Sequence, residues 1–178
     1  DNLFRLFQEF IGKVPSFGKS FICLDDKNNK KLIDKIKFKN FYTYGINKKS
    51  QFQIKNIYQS KSYSKFDLNI QLQSKKNTLI KNIKIPLIGL HNIRNSTAAA
   101  AVSWTIGISK EIIKKGLNEF KGVHRRFNKI FEFRGVEFFD DYAHHPTEIK
   151  EVLNGVKDVY KEESIICVFQ PHRISRLK

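Results

Sequence analysis

Long apolar runs are missing from this sequence. No stretch of its 178 residues approaches the ~20 apolar positions that span a bilayer, and the first residues lack the basic and apolar regions of a signal peptide. Membrane association is therefore not expected, and the chain reads as cytoplasmic. Cysteine is scarce as well. The two present, Cys23 and Cys167, sit far apart in separate apolar runs, and read as buried free thiols suited to a reducing compartment. There is no internal repeat and no low-complexity linker. No histidine pair has the one-face spacing of a zinc helix and no cysteine lies near a histidine, so no metal-ligating residues are assigned. The net charge of +16 and pI near 9.8 suit a basic nucleic-acid-binding module, the alternative from a different functional class. However, the lysines are scattered among Asn, Ile and Phe without an arginine-rich stripe. The phenylalanines fall at apolar-periodic positions, not as stacking platforms, so no nucleic-acid partner is expected.

What is present is a globular composition, 40% hydrophobic and 28% charged, at a length suited to one or two domains. Leu3, Phe4, Phe7, Phe10 and Ile11 form a helical stripe over residues 1–13 that stops at Val14-Pro15. Phe21–Leu24 and Asn40–Tyr44 read as short strands, with Asp25-Asp26 ending the first and a short helix over Lys31–Ile36 between them. Phe66, Leu68, Ile70 and Leu72 alternate with polar residues, with Gln51–Ile57 and Leu79–Ile85 as neighbours. This predicts an antiparallel, half-exposed sheet attached to a parallel core. Ala98–Ala101 continue a helix opened near Gly89, and Ser109 caps a second helix over Glu111–Phe120 that ends at Gly122. Val136, Phe138 and Phe139 predict a strand, Pro146–Tyr160 a helix, and Ser164–Phe169 another strand.

Four motifs stand at the ends of these elements. Asp140-Asp141-Tyr142-Ala143-His144-His145-Pro146-Thr147-Glu148 lies where a strand stops and a helix starts. Pro146 fits the first helical position and Glu148 complements the positive helix end. In an α/β sheet that edge is where ligands bind, because loop side chains and free helix amides converge there. Gly89-Leu90-His91-Asn92-Ile93-Arg94-Asn95 places Asn92 and Asn95 on one face of a first helical turn, where amides either cap the helix or read a purine edge. Phe120-Lys121-Gly122-Val123-His124-Arg125-Arg126-Phe127 contains adjacent arginines that point apart, one able to fork onto a phosphate while the other forms a structural ion pair. Gln170-Pro171-His172-Arg173-Ile174-Ser175-Arg176 puts Arg173 and Arg176 on one helix face, an arrangement suited to a carboxylate.

Taken in this order, the four motifs resemble those of the Mur ligases, and the resemblance extends over most of the chain. The Arg-Arg-Phe and Phe-Gln-Pro-His-Arg forms are similar to the alanine-adding branch. The tripeptide-recycling branch shares the Asp-Asp-aromatic-Ala-His-His-Pro-Thr element and is the alternative, and Ile174 stands where the family usually shows tyrosine. The resemblance implies an α/β fold: residues 1–122 as the second half of a central ATPase domain with a mixed sheet, and residues 123–178 as the start of a Rossmann-like C-terminal domain. It implies an ATP-dependent amide ligase of bacterial peptidoglycan synthesis, hence of cell-wall biogenesis, cell shape and division. ATP and Mg2+ would be the cofactors, and UDP-N-acetylmuramate and L-alanine the substrates, joined through an acyl phosphate. Carried over by residue, His91, Asn92, Asn95, Arg126, Asp141 and Tyr142 would bind ATP. His144, His172, Arg173 and Arg176 would line the substrate end, with His144 and Arg126 catalytic. The family's Gly-x-x-Gly-Lys-Thr phosphate loop does not occur in the sequence. The expectation is therefore a fragment, inactive alone, with most magnesium ligands upstream.

Overall fold

The computed structural model describes residues 2–36, 40–73 and 76–171. Helix α1 (Asn2–Gly12) precedes strand β1 (Ser20–Cys23), helix α2 (Lys27–Lys35) and strand β2 (Phe41–Gly45). Strands β3 (Phe52–Gln59), β4 (Ser64–Ile70) and β5 (Thr78–Ile85) follow, then helices α3 (Leu90–Thr105) and α4 (Lys110–Glu119). A second unit comprises strands β6 (Asn128–Phe133) and β7 (Val136–Asp140) and helix α5 (Pro146–Val159). No helix of the described residues is long and apolar enough to cross a membrane.

β1 to β5 form one sheet in sequence order, with β1, β2 and β3 parallel and β3, β4 and β5 antiparallel. The expected parallel core with an antiparallel extension is thus one continuous mixed sheet. β4 at the centre of its antiparallel part buries Phe66, Leu68 and Ile70. Its neighbours contribute Phe52 and Ile54 from β3, and Ile80, Ile83 and Ile85 from β5. α3 lies on this surface through Ile93, Thr97, Ala100 and Ala101, where small side chains let its backbone come close.

Asp67 breaks the alternation: it is acidic, on the central antiparallel strand, and buried. Its carboxylate accepts from the Asn56 side-chain amide at 2.8 Å and the Asn82 N–H at 2.7 Å. Both asparagines have left-handed backbones, φ 50° and 56°, beside the register shifts of the β3–β4 and β4–β5 ladders. Asn tolerates that conformation better than most residues, and the buried acid holds both irregularities in place.

In the second unit, β6 and β7 pair antiparallel, with Phe131 and Phe138 stacked at 4.2 Å. β6 was not expected, because its Asn, Lys and Glu interrupt the apolar signal. The strand expected over Ser164–Phe169 does not form. Residues 164–170 pair with no ladder among the described residues, and Ile166 and Val168 stay 88% and 92% exposed. Cys167 is exposed with this run rather than buried, whereas Cys23 is half-buried in β1; both are free thiols.

Candidate functional site

Three of the four motifs meet around a cavity of about 710 Å³ between α3, α4 and α5. His91, Asn92, Asn95, Ser96 and Ala99 of α3 form one wall. Leu117 and Phe120 add apolar surface, and Arg126, Asp141, Glu148 and Glu151 close the other side.

The α3 wall begins at Gly89, whose φ of +91° is a conformation that L side chains avoid, and over which the His91 ring packs. A Cβ at Gly89 would come within 2.7 Å of His91 Cε1. Burial pushes the His91 imidazole below its ordinary pKa, which favours the neutral ring, and its buried Nδ1 has no hydrogen-bond partner among the described residues. Asn92 donates through Nδ2 to the Ile88 carbonyl at 2.7 Å, so part of its amide is committed to the helix start. Asn95, one turn on, is exposed at the cavity with no side-chain hydrogen bond among the described residues.

The two arginines of the third motif part company. Arg125 Nε donates to Asp140 Oδ2 at 3.1 Å and its guanidinium lies over the Tyr142 ring at 5.0 Å. The Arg125 carbonyl accepts from Tyr142 N–H at 2.8 Å, and Phe127 stacks on Phe139 at 4.3 Å. These contacts fix the backbone on both sides of Arg126, whose side chain lines the cavity without an ion pair among the described residues. Asp141 is part of the same brace: Oδ2 accepts from Phe127 N–H at 2.8 Å and Oδ1 from Ala143 N–H at 2.6 Å. Each oxygen keeps a lone pair for a further donor.

α5 starts with a capping box. His145 is the N-cap, its Nδ1 accepting from Thr147 N–H at 3.3 Å, and Glu148 accepts from the N–H groups of His144 and His145 at 3.2 and 3.4 Å. Pro146 occupies the first turn as the sequence predicts. Those two backbone hydrogen bonds, the one from His144 first, hold the Glu148 carboxyl below its ordinary pKa against the opposing effect of burial.

The predicted residues are thus divided. His91, Asn92, Asn95, Arg126 and Asp141 share the cavity, whereas Tyr142 and His144 do not line it. Tyr142 packs against His144 with ring centroids 5.1 Å apart, and His144 faces a neighbouring groove with Ile149, Leu153 and Phe169. His172, Arg173 and Arg176 lie outside the described residues. Sequence reasoning missed Ser96, Leu117, Phe120 and Glu151. The apolar stripe of α4 signals Leu117, but nothing local marks Glu151, which reaches the cavity only because α5 docks on α3. That docking uses two glycines: a Cβ at Gly155 of α5 would stand 2.9 Å from Gly89 Cα. Among the described residues no three His, Cys, Asp or Glu side chains converge as a metal site.

Comparison with known proteins gives two family matches: the Mur ligase middle domain over residues 1–103, and the Mur ligase glutamate ligase domain over residues 125–177. UDP-N-acetylmuramate–L-alanine ligase of Pelagibacter ubique is 69% identical over 177 residues, which is 99% of this chain and 38% of that protein. The protein of the same name from Bartonella quintana is 41% identical over 172 residues, covering 96% of this chain and 36% of its own length. Among solved structures, UDP-N-acetylmuramate–alanine ligase from Thermotoga maritima superposes with a TM-score of 0.63 at 27% identity. The match covers 82% of this chain and 37% of that one. The chain therefore spans under two fifths of the length of these relatives.

Proposed function

The chain belongs to the Mur ligase family, and from that premise we propose that it forms part of an ATP-dependent ligase joining L-alanine to UDP-N-acetylmuramate. The observation that carries this reading is the cavity, which gathers groups suited to the base, the ribose and a phosphate of a nucleotide. Its donor set fits: among the described residues it offers an amide without a hydrogen bond for a base edge, a buried unpartnered imidazole nitrogen, a carboxylate with acceptor capacity for ribose hydroxyls, and a guanidinium without an ion pair for phosphate. With the domain boundary taken near residues 122–123, this reading puts the cavity at the junction of the central and C-terminal domains, and the gap between the family matches over residues 1–103 and 125–177 is compatible with it.

In this reading Asn95 and His91 orient the base, with Asn92 holding the helix start. Asp141 accepts from the ribose while fixing the Arg126 loop, and Arg126 meets the phosphates. ATP, held with Mg2+ bound mainly by other parts of the enzyme, supplies the phosphoryl group that turns the muramoyl carboxylate into an acyl phosphate. The alanine amine then attacks that acyl carbon and phosphate leaves. His144, outside the cavity, belongs to the amino-acid and muramoyl end with His172, Arg173 and Arg176. Tyr142 supports Arg125 and reaches the nucleotide only through it. Such a ligase works in the bacterial cytoplasm, on precursors of the cell wall.

The test is phosphate release by the complete ligase containing this chain, given ATP, Mg2+ and UDP-N-acetylmuramate with either L-alanine or the tripeptide. Release that depends on L-alanine is expected. Release only with the tripeptide would assign the recycling reaction, and release with neither would refute the ligase reading.

A further inference from the structure

Arg94 sits within the α3 motif, between Asn92 and Asn95, yet its side chain does not enter the cavity. Its Nε donates to Asp25 Oδ2 at 2.8 Å, while Nη1 lies 3.6 Å from Glu151 Oε2 on α5. The first partner is rigidly held. Asp25 also accepts from Ile46 and Asn47 N–H groups at 2.9–3.1 Å, and presses on Gly45, where a Cβ would stand 2.6 Å from its Oδ1. The second partner is one of the cavity's own walls. Through one planar fork, the loops at the ends of β1 and β2 are thereby tied to the helix that closes the cavity.

Neutralising Arg94 needs only Asp25, whose side chain is 10% exposed. The second arm, toward Glu151 at 38% exposure, adds little to stability, since half-exposed ion pairs contribute little. Its effect is geometric. Around it α3 and α5 touch through Gly89 and Gly155, which have no side chains to set an angle. At the far end of α5, Lys61 pairs with Glu163 and covers the Tyr160 ring at 5.0 Å. At the end of α5 that borders the cavity, Arg94 is the ionic contact from α3 among the described residues. A lysine there could satisfy one carboxylate at a time but not span both.

We propose that Arg94 is a positioning residue: by holding Asp25 and Glu151 at once, it sets the spacing between the α3 wall and the α5 wall of the nucleotide cavity. The proposal rests on the reading of that cavity as the ATP site.

The test uses the complete ligase and Glu151→Gln, which leaves the Arg94–Asp25 pair intact, together with Arg94→Lys. Two readouts are taken: amide hydrogen exchange over residues 146–159, and the KM for ATP against kcat. Faster exchange in α5 is expected in both variants, with β3–β5 unchanged. The KM for ATP should rise about two- to fivefold, the range such a pair supports, and by more than kcat falls. The double variant should show no more than the larger single effect, because both changes cut one link. Unchanged α5 exchange overturns the proposal, even if KM rises, because Glu151 would then act on the nucleotide directly. Faster exchange with an unchanged KM also overturns it, reducing the contact to a structural one. If the wild-type ligase binds no ATP, the nucleotide reading and the positioning role fall together, and the exchange data then report only on the helix contact.

Discussion

Replacing Gly155 by alanine sets two effects of opposite sign against each other. Within a helix, glycine to alanine is favourable by about 1 kcal/mol, because the backbone of the unfolded chain loses freedom it would otherwise have to give up. In this protein the new Cβ would stand 2.9 Å from Gly89 Cα and 3.6 Å from Gly89 N, and Gly155 is buried. Ordinary carbon–carbon contact begins near ~3.5 Å, so α5 must retreat by roughly 0.6 Å or Gly89 must yield. Gly89 has little room to do so, with φ at +91° and the His91 ring packed over it. Overpacking of this kind costs about 1–3 kcal/mol, which equals or exceeds the propensity gain. The net effect should be destabilising by roughly 0–2 kcal/mol. The retreat of α5 should also weaken binding of ADP, because Glu148 and Glu151 move with the helix. Chemical denaturation gives the first quantity and titration calorimetry with ADP the second. A variant more stable by the full helix-propensity gain, with unaltered ADP affinity, would refute the close approach of the two glycines.

Asp141→Ala should weaken ADP binding by about 1–3 kcal/mol, since it removes an acceptor and releases the Phe127 and Ala143 N–H groups; Asp140→Ala, which frees only Arg125, should do less. Equal affinities in calorimetry would remove Asp141 from the site. Asp67→Ala should cost roughly 1–3 kcal/mol in urea denaturation, because the Asn82 N–H and the Asn56 amide lose their acceptor. Burial alone would raise the Asp67 pKa, but those hydrogen bonds outweigh it and hold it below the ordinary value. Its contribution is therefore present above the unfolded carboxylate range and lost as pH falls through the folded value, so Asp67→Asn should flatten that part of the acid-denaturation curve. Glu148, also depressed, follows the same sign: as pH falls through its folded value, the protection factors of the His144 and His145 amides, taken against their intrinsic exchange rates, should fall, and Glu148→Gln should remove that pH dependence.

Periodicity made the sheet readable, because alternation along β4 and the apolar runs of β3 and β5 reflect burial on one surface. The cavity was half readable. His91, Asn92, Asn95, Arg126 and Asp141 stand in motifs whose residue types suit a nucleotide, and they do meet. The division of the arginine pair followed from their adjacency, but not which of the two would be braced. That depended on Asp140 and Tyr142 lying across from Arg125. His145 shows the opposite limit, since a histidine in a motif invites a chemical role and here caps a helix. The run at Ser164–Phe169 has the right composition for a strand, but composition supplies no ladder partner. Arg94 and Glu151 are far apart in sequence, and their pairing arises from docking that no local pattern records.

The order of the strands in the large sheet bears on how the protein is made. β1 through β5 lie side by side in the order in which they leave the ribosome, and no strand among them is threaded between two earlier ones. Each can add to an edge already exposed, and the short connections from β3 to β4 and from β4 to β5 close at little entropic cost. The antiparallel meander should therefore gather first. β1 joins β2 only through the longer parallel connection that carries α2, and α3 seals the face once Ile85 has emerged. In pulse-labelling during refolding, amides of Phe66, Leu68 and Ile83 should gain protection ahead of those in β1 and β2. Growth of this kind leaves no gap to be filled late, so the sheet can assemble while downstream sequence is still being translated.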